Sequence, residues 1–295
     1  MGIQKVLIYL IVLLACSRVF AMDYEIRMTR AAETGERYEL IASGYSSEQI
    51  TMSSQGQVLR KDNKFISAKL EGIVTVLQVD KLKREKKISL LVSKSVMSTN
   101  VNDNEEEALP KGTEVIAQLR HGKKEFLIDG KIANEDIAKM LDLFITFPTT
   151  KTTDDDIFGT KERKNVGDSW AVNSVKAVKD LASDGMKVDL ANIEGRTKLE
   201  KVVEVEGINC LLLSGRIEVS KVVPPLPPGL TVEKSNMSAI FTGEFPLDIS
   251  IRPLSQIHNM TMEVVSKGKF SPDAPEVTLS MDATKSGNIK ARYIK

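Results

Sequence analysis

Apolar and polar residues alternate along most of this chain, and that alternation constrains its fold more than any other feature. Residues 24–29, 277–282 and 289–293 all show the period of two that marks a strand with one buried face. Residues 66–76 form a longer run, in which apolar residues change parity at Gly72. Glycine at such a change is typical of a β-bulge. We therefore expect a mainly β protein with a minor helical component, that is, a minor α+β character.

Two segments carry helical patterns instead. Residues 134–144 begin at Asn134, a good N-cap, and place Ile137, Met140, Leu141 and Phe144 on one apolar stripe. Residues 173–183 repeat this pattern more weakly and are followed by a glycine, as helix ends often are. The pattern predicts two short helices packed on antiparallel sheet.

A polar segment near the middle divides the chain. Residues 148–166 are rich in Thr, Lys and Asp and contain Pro148 and Gly159, which break regular structure. We interpret this segment as a linker between two β-rich units, residues 22–147 and residues 167–295. The expected fold is two tandem units of curved antiparallel sheet, each with a short helix.

Four short sequences recur in the same order in the two units, which suggests an internal duplication. Residues 35–38 resemble 167–170, 70–72 resemble 193–195, 88–91 resemble 210–213, and 109–112 resemble 226–229. The spacing between partners shrinks along the chain, so an alignment needs several gaps. Chance matching of common tripeptides and duplication of a β-rich unit both remain open.

Residues 1–21 have the parts of a secretory signal peptide. Lys5 precedes ten apolar residues, 6–15, which is about half of what a helix needs to span a bilayer. A V-x-A sequence then ends at Ala21, where we expect signal peptidase to cut. Residues 13–16 also resemble a bacterial lipobox, so lipidation of Cys16 is the alternative. We expect an exported protein of the periplasm or cell envelope, with an outer-membrane lipoprotein as the second form.

A short motif adds a resemblance. Residues 165–170, with the sequence NVGDSW, follow an acidic loop and precede strand-rich sequence that continues to the C-terminus. Together with the export signal, they resemble a bacterial family of exported or lipid-anchored proteins, a domain-of-unknown-function family with two related β-rich halves. The resemblance implies an envelope location and implies no activity.

Charge and cysteine content narrow the function classes. Removal of residues 1–21 takes away Lys5 and Arg18, which leaves 39 basic and 40 acidic residues. Without a basic excess, nucleic-acid binding driven by counterion release is excluded. Only Cys210 remains in the mature chain, so an internal disulfide cannot form. No later apolar run reaches the length of a transmembrane helix.

The acidic clusters are the first candidates for chemistry. Asp154, Asp155 and Asp156 are consecutive, with Asp142 upstream, and residues 102–107 hold a second cluster. Carboxylate oxygens suit Ca²⁺, but the alternating ligand spacing of an EF-hand loop is missing. We interpret both clusters as solvated segments and predict no metal site.

The remaining reactive residues stand alone in the sequence. His121 and His258 lie far apart without metal-ligand spacing or a serine motif, so we interpret them as turn or surface residues. Cys210 lies within an apolar strand, and Trp170 follows turn-like sequence, so both are predicted to be core residues. The sequence therefore predicts no catalytic residue and no cofactor.

Residues 81–87 form the densest basic segment, between two strand-like runs. We interpret it as the charged tip of a hairpin, and an anionic surface such as lipid headgroups or polysaccharide is the alternative partner.

These observations favour a non-enzymatic envelope protein that binds an envelope protein or an apolar molecule, or supports envelope structure. The alternative within binding is a lipid or lipoprotein carrier, with an apolar groove closed by residues 134–144. A hydrolase is the rival class, and it requires two of Asp142, Asp154, Asp155 and Asp156 to meet in one pocket.

Overall fold

One antiparallel sheet of thirteen strands forms the body of the protein. The computed structural model describes residues 22–100 and 102–294, so the predicted processing positions Ala21 and Cys16 lie outside the described residues. The mainly β fold that the alternation predicts is confirmed.

The first seven strands come from the N-terminal half of the chain. They are β1 (Arg37–Ser54), β2 (Gln57–Val79), β3 (Glu85–Thr99), β4 (Asn102–Glu107), β5 (Glu114–Arg120), β6 (Lys123–Ile128) and β7 (Lys131–Ile132). The other six are β8 (Ser169–Ala171), β9 (Ile193–Val205), β10 (Ile208–Ser220), β11 (Leu230–Pro246), β12 (Ser255–Gly268) and β13 (Val277–Tyr293).

The two halves of the chain join through their longest strands. The sheet order is β7-β6-β5-β3-β2-β1-β13-β12-β11-β10-β9-β8, and β4 pairs with β3 beside this path. β1 and β13 pair without a bulge from Tyr38 opposite Tyr293 to Ser53 opposite Thr278. The predicted sheets of the two halves are therefore one continuous sheet, and the division into tandem duplicated units stays a prediction.

Among the described residues, three α-helices accompany the sheet: α1 (Glu135–Asp142), α2 (Asp154–Ile157) and α3 (Ser174–Ser183). Asn134 caps α1 by accepting a hydrogen bond from the Ile137 amide, and Asn173 caps α3 in the same way. Both helices begin where the sequence predicts. None of the described helices is long and apolar enough to cross a membrane.

The three helices and the buried side chains of the strands lie on the same face of the sheet, which we call the covered face. Residues opposite each other in a ladder share a face, and here Leu40 lies opposite Ala291 while Met237 lies opposite both Met262 and Val219. All five are buried. The other face, the open face, carries mostly Ser, Thr, Asn and charged side chains.

Glycines on the covered face make room for phenylalanine rings, from the neighbouring strand at Gly215 and from the same strand at Gly243. A Cβ atom on Gly215 would lie 2.0 Å from Phe241 Cε1, and one on Gly243 would lie 2.6 Å from Phe245 Cε2. The predicted bulge at Gly72 is also present, as a register shift between Glu71 and Gly72. These positions need glycine because another chain group occupies the place of the side chain.

Two predictions about segments are wrong. Residues 24–29 are no strand, although Tyr24 makes one isolated bridge to Lys164. The Asp155 carboxylate accepts the Met28 and Thr29 amides at 2.7 and 3.0 Å, which replaces ladder pairing there. The second wrong prediction is that Asp154–Asp156 belong to a solvated linker. Asp154–Ile157 instead form α2, which buries Ile157.

Candidate functional site

Two concave regions lie on the covered face, and the chain that leaves α1 connects them. The first, which we call the α1 groove, runs along α1 and has a volume of about 570 Å³. The second, which we call the charged cleft, has a volume of about 580 Å³ and lies where residues 146–154 cross the sheet. Both volumes fall in the range of small-molecule sites.

The α1 groove has an apolar floor. Its lining includes the apolar residues Phe65, Ile66, Phe126, Ile132, Ala133, Ala138 and Leu143. Ile66, Phe126 and Leu143 are buried, whereas Ile132 is 77% exposed at the sheet edge. A concavity therefore lies beside α1, in the region where the sequence predicts an apolar groove closed by residues 134–144.

Lysines and carboxylates surround this floor, and the lysines are paired. Lys124 Nζ bonds the Asp142 carboxylate and donates to the Ile145 carbonyl oxygen at 2.7 Å. Lys285 Nζ lies 3.3 Å from the second Asp142 oxygen. Burial alone would raise the pKa of Asp142, but these two ammonium groups hold it below the ordinary value. Lys139 and Lys64 are paired with Glu135 and Glu48. Every lysine at the rim therefore has a carboxylate partner, and Glu125 and Asp136 add two further carboxylates to the lining.

The charged cleft has a basic side and an acidic side. Arg30, Arg84 and Arg252 line it together with Asp154, Asp180 and Asp184. A smaller chamber of about 140 Å³ continues from it between sheet residues such as Val74 and Ile88.

An ion cluster holds the basic side in place. Arg252 Nε lies 3.3 Å from Glu36, its terminal nitrogen bonds Glu85, and its guanidinium stacks 3.5 Å from the Tyr38 ring centre. Arg30 also bonds Glu36 and donates to the Ser250 carbonyl oxygen at 2.8 Å. The cluster ties the N-terminal segment and β3 to the loop before β12.

Asp154 faces the cleft without a hydrogen-bond partner among the described residues. Its carboxyl is accessible from the cleft, although protein surrounds it on the other sides. This desolvation, together with the negative charges of Asp155 and Asp180, raises the pKa of Asp154 to about 6. Desolvation and Asp180 also raise the pKa of Asp184.

The four acids selected from the sequence have four different environments. Asp142 lines the α1 groove and Asp154 lines the charged cleft. Asp155 binds the amides of the N-terminal segment, and Asp156 completes a capping box with Thr153 and pairs with Lys176 at 3.0 Å. No two of the four share a pocket. The acid that lines the charged cleft beside Asp154 is Asp180 of α3, which belongs to no motif in the sequence.

The single reactive residues are structural. His121 occupies a turn with a φ of 50°, and His258 lies exposed on β12 with its pKa lowered by desolvation and by Lys285. Cys210 is buried, and that burial raises its pKa to about 11. Trp170 is buried and donates from Nε1 to the Phe158 carbonyl oxygen at 2.7 Å, as a core residue does.

Of the two polar sequence clusters, residues 102–107 contribute no described side chain to either cavity, whereas Arg84 and Glu85 of residues 81–87 line the charged cleft. Residues 102–107 form β4, where Glu105 pairs with Lys69 at 2.7 Å. Within residues 22–100 and 102–294, no three His, Cys, Asp or Glu side chains are placed to hold a metal ion. Residues 81–84 form a turn between β2 and β3 that is exposed at residues 81–83, whereas Glu85–Lys87 already belong to β3.

Comparisons with known proteins identify no family. No protein-family model and no curated protein matches the chain. Among solved structures, a lipovitellin structure concerned with lipid–protein interactions aligns over 89% of this chain with 8% identity and a TM-score of 0.32. The chain spans 26% of that lipovitellin chain.

Two further alignments are weaker still. An outer-membrane channel from Pseudomonas putida F1 aligns over 90% of this chain and 100% of its own, with 7% identity and a TM-score of 0.20. DynF from the dynemicin pathway of Micromonospora chersina aligns over 92% of this chain and 90% of its own, with 8% identity and a TM-score of 0.18. Similarity at this level carries no inference about function. The functional proposal therefore rests on the two cavities.

Proposed function

We propose that this protein is an exported envelope protein that binds one apolar or amphipathic molecule in the α1 groove. The observation that carries the proposal is the groove itself, because its apolar floor stays open between α1 and the sheet. An acyl chain or another flexible apolar group fits such a site, since it removes Ile132 and the partly exposed Ala133 and Ala138 from water.

The rim narrows the chemistry of the ligand. Each lysine at the rim has a carboxylate partner, so a bare anion would have to break an ion pair to bind. A zwitterionic or uncharged polar head can bond both members of a pair without displacing either. We therefore favour a neutral amphiphile over a free fatty acid.

Ligand binding is tested on the mature chain after removal of bound lipid. Ala138→Trp places a large ring in the groove from α1, whereas Ala182→Trp places the same ring on the exposed side of α3. Native mass spectrometry should show a lysophospholipid bound to the wild type and to Ala182→Trp, and at least tenfold weaker binding to Ala138→Trp. Equal binding by the two tryptophan variants, or no binding by the wild type, would contradict the proposal.

Export is a separate part of the proposal, and residues 1–21 support it. Fractionation of the native host and the mass of the mature N-terminus distinguish its two forms. A chain that begins at Met22 is the expected product, an acylated Cys16 indicates the lipoprotein, and a cytoplasmic chain that keeps Met1 contradicts export.

A carboxylate hydrolase is the second candidate, and the position of Asp154 favours it. A carboxyl with a pKa near 6 that faces a cleft beside Asp180 has the properties of a general acid. Nitrophenyl esters and glycosides provide the test. Turnover by the wild type that Asp154→Asn abolishes supports this candidate, and no turnover by the wild type removes it.

We also propose that the two halves arose by duplication, because their paired glycines make the same backbone contacts. The Gly35 amide donates to the Val76 carbonyl oxygen at 2.8 Å, and the Gly167 amide donates to that of Leu199 at 2.7 Å. Val76 and Leu199 each follow by four residues the second glycine of the repeat, Gly72 or Gly195. Gly35 and Gly167 have φ values of 90° and 94°.

Exchange of the first repeated turn tests the duplication. Asn165→Glu, Val166→Thr and Asp168→Glu convert residues 165–168 into the sequence of residues 33–36. We expect the chimera to fold with less than about 1 kcal/mol loss, as substitutions compatible with the backbone do. Loss of folding would show that the two turns are not equivalent.

A further inference from the structure

The turn between β2 and β3 presents a compact group of basic and apolar side chains. Lys81, Leu82 and Lys83 are exposed at its tip, and Lys86 is exposed at the start of β3. Leu82 is 54% exposed. The whole mature chain is close to neutral, so this concentration of positive charge is local.

Both acids of the segment are bound by arginines, which leaves the lysines without a carboxylate partner. The Asp80 carboxylate accepts the Leu82 and Arg84 amides at 2.8 and 2.9 Å and bonds the Arg84 guanidinium. Glu85 bonds Arg252 inside the charged cleft. Within the described part of the chain, Lys81, Lys83 and Lys86 have no carboxylate within ion-pair distance.

Backbone contacts hold the tip in one conformation. The Ala32 amide donates to the Lys83 carbonyl oxygen at 2.7 Å, and Lys83 has a φ of 62°. The tip therefore loses little conformational freedom when it meets a surface, and Leu82 stays between two lysines.

We propose that this turn docks the protein on an anionic lipid surface, with Lys81, Lys83 and Lys86 at the headgroups and Leu82 inserted between them. Charge complementarity supports a negative surface, and the exposed leucine distinguishes lipid from polysaccharide because only a bilayer offers it an apolar environment. The docking is independent of ligand binding, since no residue of the turn lines the α1 groove.

Vesicle co-sedimentation tests the proposal with the full mature chain. The two vesicle types are phosphatidylcholine alone and equal parts of phosphatidylcholine and phosphatidylglycerol. We expect binding only to the mixed vesicles, and loss of that binding when the salt is raised from about 0.1 M to about 1 M, which shortens the screening length from about 10 to 3 Å.

A triple variant and a matched control locate the contact. Lys81→Gln, Lys83→Asn and Lys86→Gln should weaken vesicle binding roughly a hundredfold, or about fivefold for each lysine. Asparagine is chosen at Lys83 because it tolerates the left-handed backbone there. The control is Lys61→Gln, Lys131→Gln and Lys221→Asn, which removes the same charge from exposed positions and includes Lys221 at a φ of 54°. The control should bind as the wild type does.

Leu82→Ser separates insertion from attraction by charge. It should weaken binding to the mixed vesicles about tenfold while the salt dependence persists. Equal losses in the two triple variants, or a wild type that binds anionic polysaccharide and not the vesicles, would overturn the proposal. Ala138→Trp should bind vesicles normally, so failure of the groove and failure of the turn are distinguishable. Circular dichroism confirms that each variant is folded.

Discussion

At the residue scale, ionisable side chains divide between those that stabilise the fold and those that face a cavity. Arg252 satisfies Glu36 and Glu85 at once while its guanidinium lies on Tyr38, so every charge in that cluster has a partner. Asp154 has no such partner and lies beside two other carboxylates. We therefore expect substitution of Asp154 to stabilise the folded protein and substitution of Arg252 to destabilise it.

Asp154→Asn should stabilise the protein at neutral pH. A folded-state pKa of about 6, above the ordinary value of 3.8, means that the wild type gains stability by binding a proton as the pH falls. The ionised carboxylate therefore costs stability above pH 6, by about 1 kcal/mol once solvent screening in the open cleft is allowed for.

Urea unfolding at several pH values measures this effect. The stabilisation by Asp154→Asn should be fully present above pH 6, decline between pH 6 and pH 4, and vanish below pH 4. Asp189→Asn, at an exposed position away from the cleft, is the control and should show no such profile. A destabilised Asp154→Asn at pH 8 would show that the carboxylate makes a favourable contact.

Arg252→Ala should destabilise the protein by about 3 kcal/mol, because it leaves the largely buried Glu85 carboxylate without a cation and leaves Glu36 with Arg30 alone. The control is Arg216→Ala, which removes an exposed pair with Glu218 and should cost less than about 1 kcal/mol. Urea unfolding at pH 7 compares the two. Similar losses would mean that water compensates the two carboxylates.

At the element scale, paired strands on the covered face fit each other through glycine and phenylalanine. Within β11, Phe245 covers Gly243, and between the strands Phe241 of β11 occupies the space that a side chain on Gly215 of β10 would need. Close packing of this kind fixes the register of β10 against β11, since a slip by one residue would place the rings on the open face.

Gly215→Ala should destabilise the protein by about 1–3 kcal/mol, because the new methyl group overlaps the Phe241 ring. The double variant Gly215→Ala/Phe241→Ala should lose less than the two single variants added together, since removal of the ring relieves the overlap. Thermal unfolding of all four proteins measures the coupling. Additive losses would show that the ring can move aside at no cost.

At the scale of the whole molecule, the pairing of β1 with β13 makes the two halves depend on each other. Each of these strands lies between two neighbours, one from its own half and one from the other half. Separation of the halves would expose two long edges with unpaired amides and carbonyls.

The mature chain should therefore unfold in a single transition. Calorimetry should give a van't Hoff enthalpy equal to the calorimetric enthalpy. A fragment of residues 167–295 alone should aggregate or remain unfolded, because β13 loses its partner. Two resolved transitions, or a folded monomeric fragment, would show instead that the halves are independent domains.

Local features of the fold were predictable and long-range ones were not. The caps at Asn134 and Asn173 and the bulge at Gly72 follow from chemistry within a few residues of the chain. The strand predicted over residues 24–29 failed because Asp155, distant in sequence, binds its amides. The meeting of Asp154 with Asp180 likewise depends on how α2 and α3 pack, which no motif records.

The sequence by itself determined the strand-rich class, the positions of α1 and α3, and the core roles of Trp170 and Cys210, because periodicity, capping and apolarity act over short distances. Only the tertiary structure decided that all the described strands share one sheet, that the groove beside α1 is open, and that the lysines of the β2–β3 turn stand without partners. Those properties depend on which strands pair and which charges meet across the fold, and residues far apart in sequence set both.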